Sequence, residues 1–159
     1  MMTSDFKAAI LDLDGVITQT ANLHAKAWKQ LFDQYNKQRQ QAGKPLYRDF
    51  DPLNDYSQYI DGIPRYDGVR NFLQSRNVIL PEGLPDDEKT QESISGLGNW
   101  KNELFHQLLE EEGVQVYEST LTKIKQWRQA GLKTAVISSS KNCKMILEKA
   151  GIANLLKPA

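Results

Sequence analysis

The chain has 159 residues and balances 20 Lys+Arg against 20 Asp+Glu, so its formal net charge is zero. A neutral chain has no sequence-wide attraction for nucleic acid phosphates or anionic lipid, and neither nucleic acid nor a membrane is an expected partner. Apolar residues at 40% suffice for a globular core, no run of about 18 apolar residues marks a membrane span, and Met1-Met-Thr-Ser-Asp-Phe-Lys lacks the apolar stretch of a signal peptide. Cys143 stands alone, which rules out an intrachain disulfide and fits a cytoplasmic location.

The first apolar run, Phe6-Lys-Ala-Ala-Ile-Leu-Asp12, is short and soon followed by Gly15, which predicts a buried strand. Thr20 is the expected N-cap of a helix whose apolar stripe is Leu23, Ala27, Leu31 and Tyr35, widened by Trp28 and Phe32. Pro45, Pro52, Pro64, Pro81 and Pro85 then interrupt the chain, and only a short helix is expected there, near Val69-Arg-Asn-Phe-Leu73. A further helix runs through Leu104, Phe105, Leu108 and Leu109 and ends at Gly113. Another carries Leu121, Ile124 and Trp127, with Ser119 as its cap. Leu132-Lys-Thr-Ala-Val-Ile-Ser138 predicts a second strand, and a last helix follows Ser140 and ends at Gly151. Trp28 and Trp127 are expected to be packing residues.

The two strands lie roughly 120 residues apart, whereas a strand–helix–strand crossover needs only about 30. The excess reads as an insertion. The expected fold is α/β: a parallel-sheet core from residues 1–18 and 115–159, with a mainly α-helical insertion over 19–114.

The strongest chemical signal is Asp12-Leu-Asp-Gly-Val-Ile-Thr18. In a parallel sheet, ligands bind beyond the carboxyl ends of the strands. Two carboxylates leaving such an end repel each other unless a cation or a phosphoryl group uses them. Gly15 allows a sharp turn and close backbone approach. Ser138-Ser-Ser140 after the second strand reads by itself as a capping turn.

The segment from Asp12 to Thr18 closely resembles motif one of the haloacid dehalogenase-like phosphotransferase superfamily. Thr18 to Trp28 resembles the start of the helical cap in its β-phosphoglucomutase-like subgroup, Asp61-Gly-Ile-Pro-Arg65 the cap loop that meets the substrate phosphate, Leu97 to Glu103 the segment returning to the core, and Val136 to Asn142 motif two. The resemblance implies a Rossmann-like core, an incomplete parallel sheet in this chain, with a helical cap. It implies that Asp12 is the nucleophile forming an aspartyl-phosphate and Asp14 the general acid/base. Both would bind Mg²⁺, Asp14 through its backbone carbonyl. Ser138 would donate to the transferring phosphoryl group, helped by the N–H of Ser139, and Lys141 and Asn142 would begin a helix that favours anions. In the cap, Arg65 would clamp the non-transferring phosphate, Lys101 and Asn102 would contact sugar or phosphate, and His24 would sit near the hinge. For these four the residues alone leave open a solvated arginine, an exposed helix start and a partly buried histidine. Gln19 departs from the acidic residue often found at its position in the subgroup.

The family's later lysine and acidic metal ligands have no counterpart before Ala159, although Lys157-Pro-Ala159 is similar to the start of the lysine motif. Only two core strands are readable, and no strand is expected after Gly151. The chain is therefore expected to be the N-terminal part of a longer enzyme, or a short variant with altered packing, and its open sheet edge would allow self-association. The implied function is Mg²⁺-dependent phosphoryl transfer on a phosphorylated sugar or another small phosphate ester, as a mutase or a phosphatase. The alternative is a non-catalytic sugar-phosphate-binding or interaction module. A receiver-type phosphoacceptor shares the acidic cluster but gives no reason for the long insertion.

Overall fold

The structure, a computed structural model, describes residues 6–158. Met1 to Asp5, read above for a leader, lie outside the described residues, as do Ala159 and the side chains of Lys157 and Pro158. In chain order the elements are β1 (Ala8–Asp12), α1 (Thr20–Gln41), α2 (Asn54–Tyr59), α3 (Arg65–Ser75), α4 (Ile94–Glu112), α5 (Glu118–Gln129), β2 (Lys133–Ile137), α6 (Cys143–Lys149), a 3-10 turn (Ala153–Leu155) and β3 (Lys157–Pro158). The chain divides into two compact units, one of Met1–Ala21 with Gly113–Ala159 and one of Asn22–Glu112.

The first unit is built on a parallel sheet of order β1-β2-β3. The third strand corrects the expectation of two. It pairs with β2 through only two residues, one of them a proline, too few to show any period. β1 and β2 pair in register from Ala8↔Lys133 to Asp12↔Ile137. Strand residues alternate between faces, so Leu11 and Val136 share one face. Val136 is buried, as are Leu121 and Ile124 of α5 and Ile146 and Leu147 of α6. The opposite face carries Ile10, 65% exposed, and Ile137, 59% exposed.

Ser119 does not cap α5. The helix starts one residue earlier, and its cap position is the extended Tyr117, whose N–H donates to Ile17 O at 3.0 Å. Gly131 closes the helix at φ +87°, with Leu132 N–H returning to Trp127 O at 2.9 Å.

The second unit packs α1 from Asn22 onward with α2, α3 and α4. Its core is aromatic: Phe32 lies 4.0 Å from Phe72 and 5.4 Å from Phe50 between ring centroids, and Trp28 stacks on Phe32 at 5.4 Å. Trp28 is a packing residue, and Gly68 of α3 admits it: a Cβ there would sit 3.2 Å from the indole. α3 is longer than the sequence suggests because Pro64, at φ −59°, leads directly into it. Ser93 caps α4, its hydroxyl oxygen accepting Gly96 N–H at 3.0 Å while it donates to Asp87 Oδ2 at 2.6 Å. Asp55, 1% exposed, is held by Arg48 at 3.0 Å and Arg76 at 2.5 Å.

Candidate active site

In the first unit the site is set by strand register. Asp12 ends β1 opposite Ile137, the last residue of β2, so Asp12 and Ser138 leave the sheet from neighbouring strands at the same end. Leu13 N–H donates to Asp12 Oδ1 at 2.8 Å and directs that carboxylate. The chain then turns tightly. Ile17 and Thr18 N–H both donate to Leu13 O, at 2.9 and 3.0 Å, and Gly15 adopts φ +80°, a conformation that disfavours a side chain. The turn brings Thr20 back to Asp14: the Thr20 hydroxyl donates to Asp14 Oδ1 and lies 2.7 Å from the Thr18 hydroxyl. Thr20 is thus the first residue of α1 rather than its cap, and its hydroxyl serves a half-buried carboxylate. Sequence reasoning missed Thr18 and Thr20 as residues of this site; two threonines following Asp-Gly are the available signal.

After β2, Ser140 N–H donates to Ser138 Oγ at 3.0 Å and Asn142 N–H to Ser140 Oγ at 3.2 Å. The Ser138 hydroxyl keeps its proton for another acceptor. Ser139 and Lys141 are exposed. Lys141 and Asn142 do not begin the helix as expected: α6 starts at Cys143, Asn142 is its cap position, and the helix is only 7 residues long. The serine turn, not a helix terminus, therefore shapes this loop. Burial, then the charges of Asp14 and Asp12, push the Cys143 thiol above its ordinary value. Among the described residues no group of three or more His, Cys, Asp or Glu side chains gathers as a metal site.

In the second unit, His24 and Lys101 come together. They are 8% and 4% exposed, and Lys101 Nζ lies 2.7 Å from His24 Nδ1. The imidazole stacks on Phe105 at 4.0 Å between centroids, and Lys101 Nζ lies 5.1 Å from the Trp28 ring and 4.8 Å from that of Phe105. Lys101 is not at an exposed helix start; it is buried within α4. Asn102 is half-buried with Nδ2 3.5 Å from His106 Nε2. Arg65 is not a solvated arginine either. It opens α3 half-buried, with its guanidinium carbon 5.1 Å from the centroid of Tyr66, which sequence reasoning passed over.

A model of the haloacid dehalogenase-like hydrolase family matches residues 6–157. The chain belongs to this family. A β-phosphoglucomutase of Mycobacterium bovis is 44% identical over 146 residues, covering 92% of this chain and 56% of the relative. This member of the haloacid dehalogenase-like family thus spans about half the length of the curated relative. Among solved structures, a β-phosphoglucomutase from Clostridium difficile superposes with a TM-score of 0.72 at 22% identity, over 95% of this chain and 59% of that one. A protein from Rhodobacter sphaeroides, solved in complex with phosphate, superposes at 0.65 with 19% identity, over 95% and 61%. The parallel sheet and helical content are those of the family's α/β fold. No helix among the described residues is long and apolar enough to cross a membrane.

Proposed function

We propose that this chain carries the nucleophile and phosphate-binding residues for phosphoryl transfer on sugar phosphates, of the β-phosphoglucomutase or phosphatase kind. One observation carries the reading: Asp12 and Ser138 emerge side by side from register-matched ends of β1 and β2. The 44% identity to a β-phosphoglucomutase supports the substrate class.

Asp12 attacks the phosphorus of the ester, its Oδ forming the new P–O bond while the bond to the sugar oxygen breaks. Asp14, oriented by the Thr20 hydroxyl, protonates that leaving oxygen. It then takes the proton of the acceptor, a sugar hydroxyl or water, which attacks phosphorus and frees Asp12. Ser138 donates to a phosphoryl oxygen, with Ser139 N–H beside it, and Lys141 and Asn142 border the same loop. The donor chemistry fits Mg²⁺, which takes one or two carboxylates and fills its shell with water and phosphate oxygens. Asp12 and the Asp14 carbonyl would hold the ion. When bound, it neutralises the phosphoryl oxygens that would otherwise repel an anionic nucleophile. In the second unit, Arg65 takes the non-reacting phosphate, Lys101 and Asn102 the polar groups of the substrate, and His24 orients Lys101.

Release of phosphate from a generic phosphate ester, with and without Mg²⁺, tests the reading. Asp12→Asn is expected to abolish a Mg²⁺-dependent activity. Equal rates for the two proteins would remove Asp12 from the mechanism, and inactivity of both alongside sugar-phosphate binding would favour a binding module.

A further inference from the structure

Among the described residues, Arg48, Arg70 and Arg76 each meet a carboxylate, at 3.0, 2.7 and 2.5 Å. Arg65 meets none. Its guanidinium lies over the Tyr66 ring at 5.1 Å, with Nη2 3.5 Å from the Tyr66 hydroxyl, and its buried Nε has no hydrogen-bond partner among those residues. A ring face holds a cation without neutralising it, so the charge stays available to an outside anion. A buried N–H lacking an acceptor costs free energy that a phosphate oxygen removes, and the guanidinium edge matches phosphate through paired donors.

The ring beneath Arg65 is fixed in turn. Tyr66 donates to Asn99 Oδ1 at 2.9 Å. The Asn99 amide nitrogen donates to Pro85 O at 3.0 Å and Asp87 O at 2.9 Å, which determines which way its oxygen faces. The phenol approaches α4 closely only because residue 98 is glycine. A Cβ on Gly98 would lie 2.5 and 2.6 Å from the Tyr66 ring carbons, and its φ is not in the left-handed region, so the demand is for space and not for backbone freedom.

We infer that Tyr66 and Asn99 are positioning residues for Arg65, and that Gly98 makes room for them, together presenting a pre-aimed guanidinium to the phosphate of a phosphomonoester. This rests on the reading of Arg65 as the clamp for the non-reacting phosphate. The aromatic base spares Arg65 an internal carboxylate that would compete with the ligand, and the asparagine removes the rotamer freedom that binding would otherwise have to freeze.

The test follows the Arg65 Nε–Hε NMR resonance, assigned with Arg65→Ala, during titration of the full chain with inorganic phosphate. The resonance is expected to shift on saturation. In Tyr66→Leu and Asn99→Ala it should broaden; the apparent Kd should rise about tenfold in Tyr66→Leu, the scale of a desolvated cation–π contact, and by less in Asn99→Ala, which keeps the ring. Tyr66→Phe keeps the ring and loses the hydroxyl's bond to Asn99 and its contact with Arg65 Nη2, so it should fall between the native chain and Tyr66→Leu; as the conservative variant it also supplies the measurement if Tyr66→Leu does not fold. An Arg65 resonance in the native chain that ignores phosphate overturns the clamp itself. A resonance that responds with native affinity in Tyr66→Phe and Asn99→Ala overturns the positioning role and leaves the clamp standing.

Discussion

Lys101 Nζ lies 2.7 Å from Nδ1 of His24, with both side chains more than nine-tenths buried. A lysine ammonium has only donors, so Nδ1 accepts in this bond. Burying such a pair seldom stabilises a protein relative to apolar replacements, which makes stability a weak reason for it. Lys101→Met keeps a stem of similar length between Trp28 and Phe105. Its melting temperature is expected to change by less than about 4 °C, about 1 kcal/mol in a chain of this size, while turnover of a phosphate ester is lost. Parallel loss of both in thermal melts and assays would show instead that the pair holds the helices together.

Asp55 presents the opposite case. Its carboxylate joins the Arg48 segment to the end of α3, and Arg76 also covers the Phe72 ring at 4.5 Å. Asp55→Ala removes the carboxylate that pairs with the buried Arg76, an outcome that costs about 3–5 kcal/mol. Urea denaturation should register most of that loss. Arg48→Ala, at the exposed end, should cost under about 1 kcal/mol.

Gly83 has φ +75°, and a Cβ there would stand 2.1 Å from Asp87 Oδ2 and 2.4 Å from Ser93 Oγ. Gly83→Ala therefore displaces Asp87 and Ser93, the serine that caps α4 by accepting Gly96 N–H. It is expected to cost more than Ser93→Ala, for which loss of the cap alone accounts for about 1 kcal/mol. Comparison of the two variants in the same denaturation series checks the order.

The Cys143 thiol sits above its ordinary value because of burial first and the Asp14 and Asp12 charges next. Folding thus favours the protonated thiol. That contribution is complete below the unfolded thiol's titration range and is lost as pH rises through the raised folded value. Alkylation near pH 8 should be slower than for a free thiol, and faster in Asp14→Asn, where one repelling charge is gone. Unchanged rates in that variant would separate Cys143 from the carboxylates.

The parts legible in the sequence were those with a period or a motif. The run before Asp12 and the run before Ser138 gave the paired strands, and the stripe from Leu23 to Tyr35 gave α1. What stayed hidden was decided by contacts between distant residues. Lys101 looks like a surface residue until His24, Trp28 and Phe105 surround it. Thr20 looks like a cap until the turn at Gly15 returns it to Asp14. β3 has two residues and a proline, and the cap of α5 falls to Tyr117 because its backbone already pairs with Ile17.

β1 closes one side of the three-stranded sheet, with apolar Ile10 and Ile137 bare on one face. Lys7 precedes β1 and Lys133 opens β2, both exposed, and Lys133 N–H bonds to Lys7 O at 3.1 Å. Two like charges beside this apolar face are expected to oppose stacking of one molecule on the next. Neutralising them by acetylation, or screening them with salt, should therefore turn a clear concentrated sample turbid, a change that static light scattering follows directly.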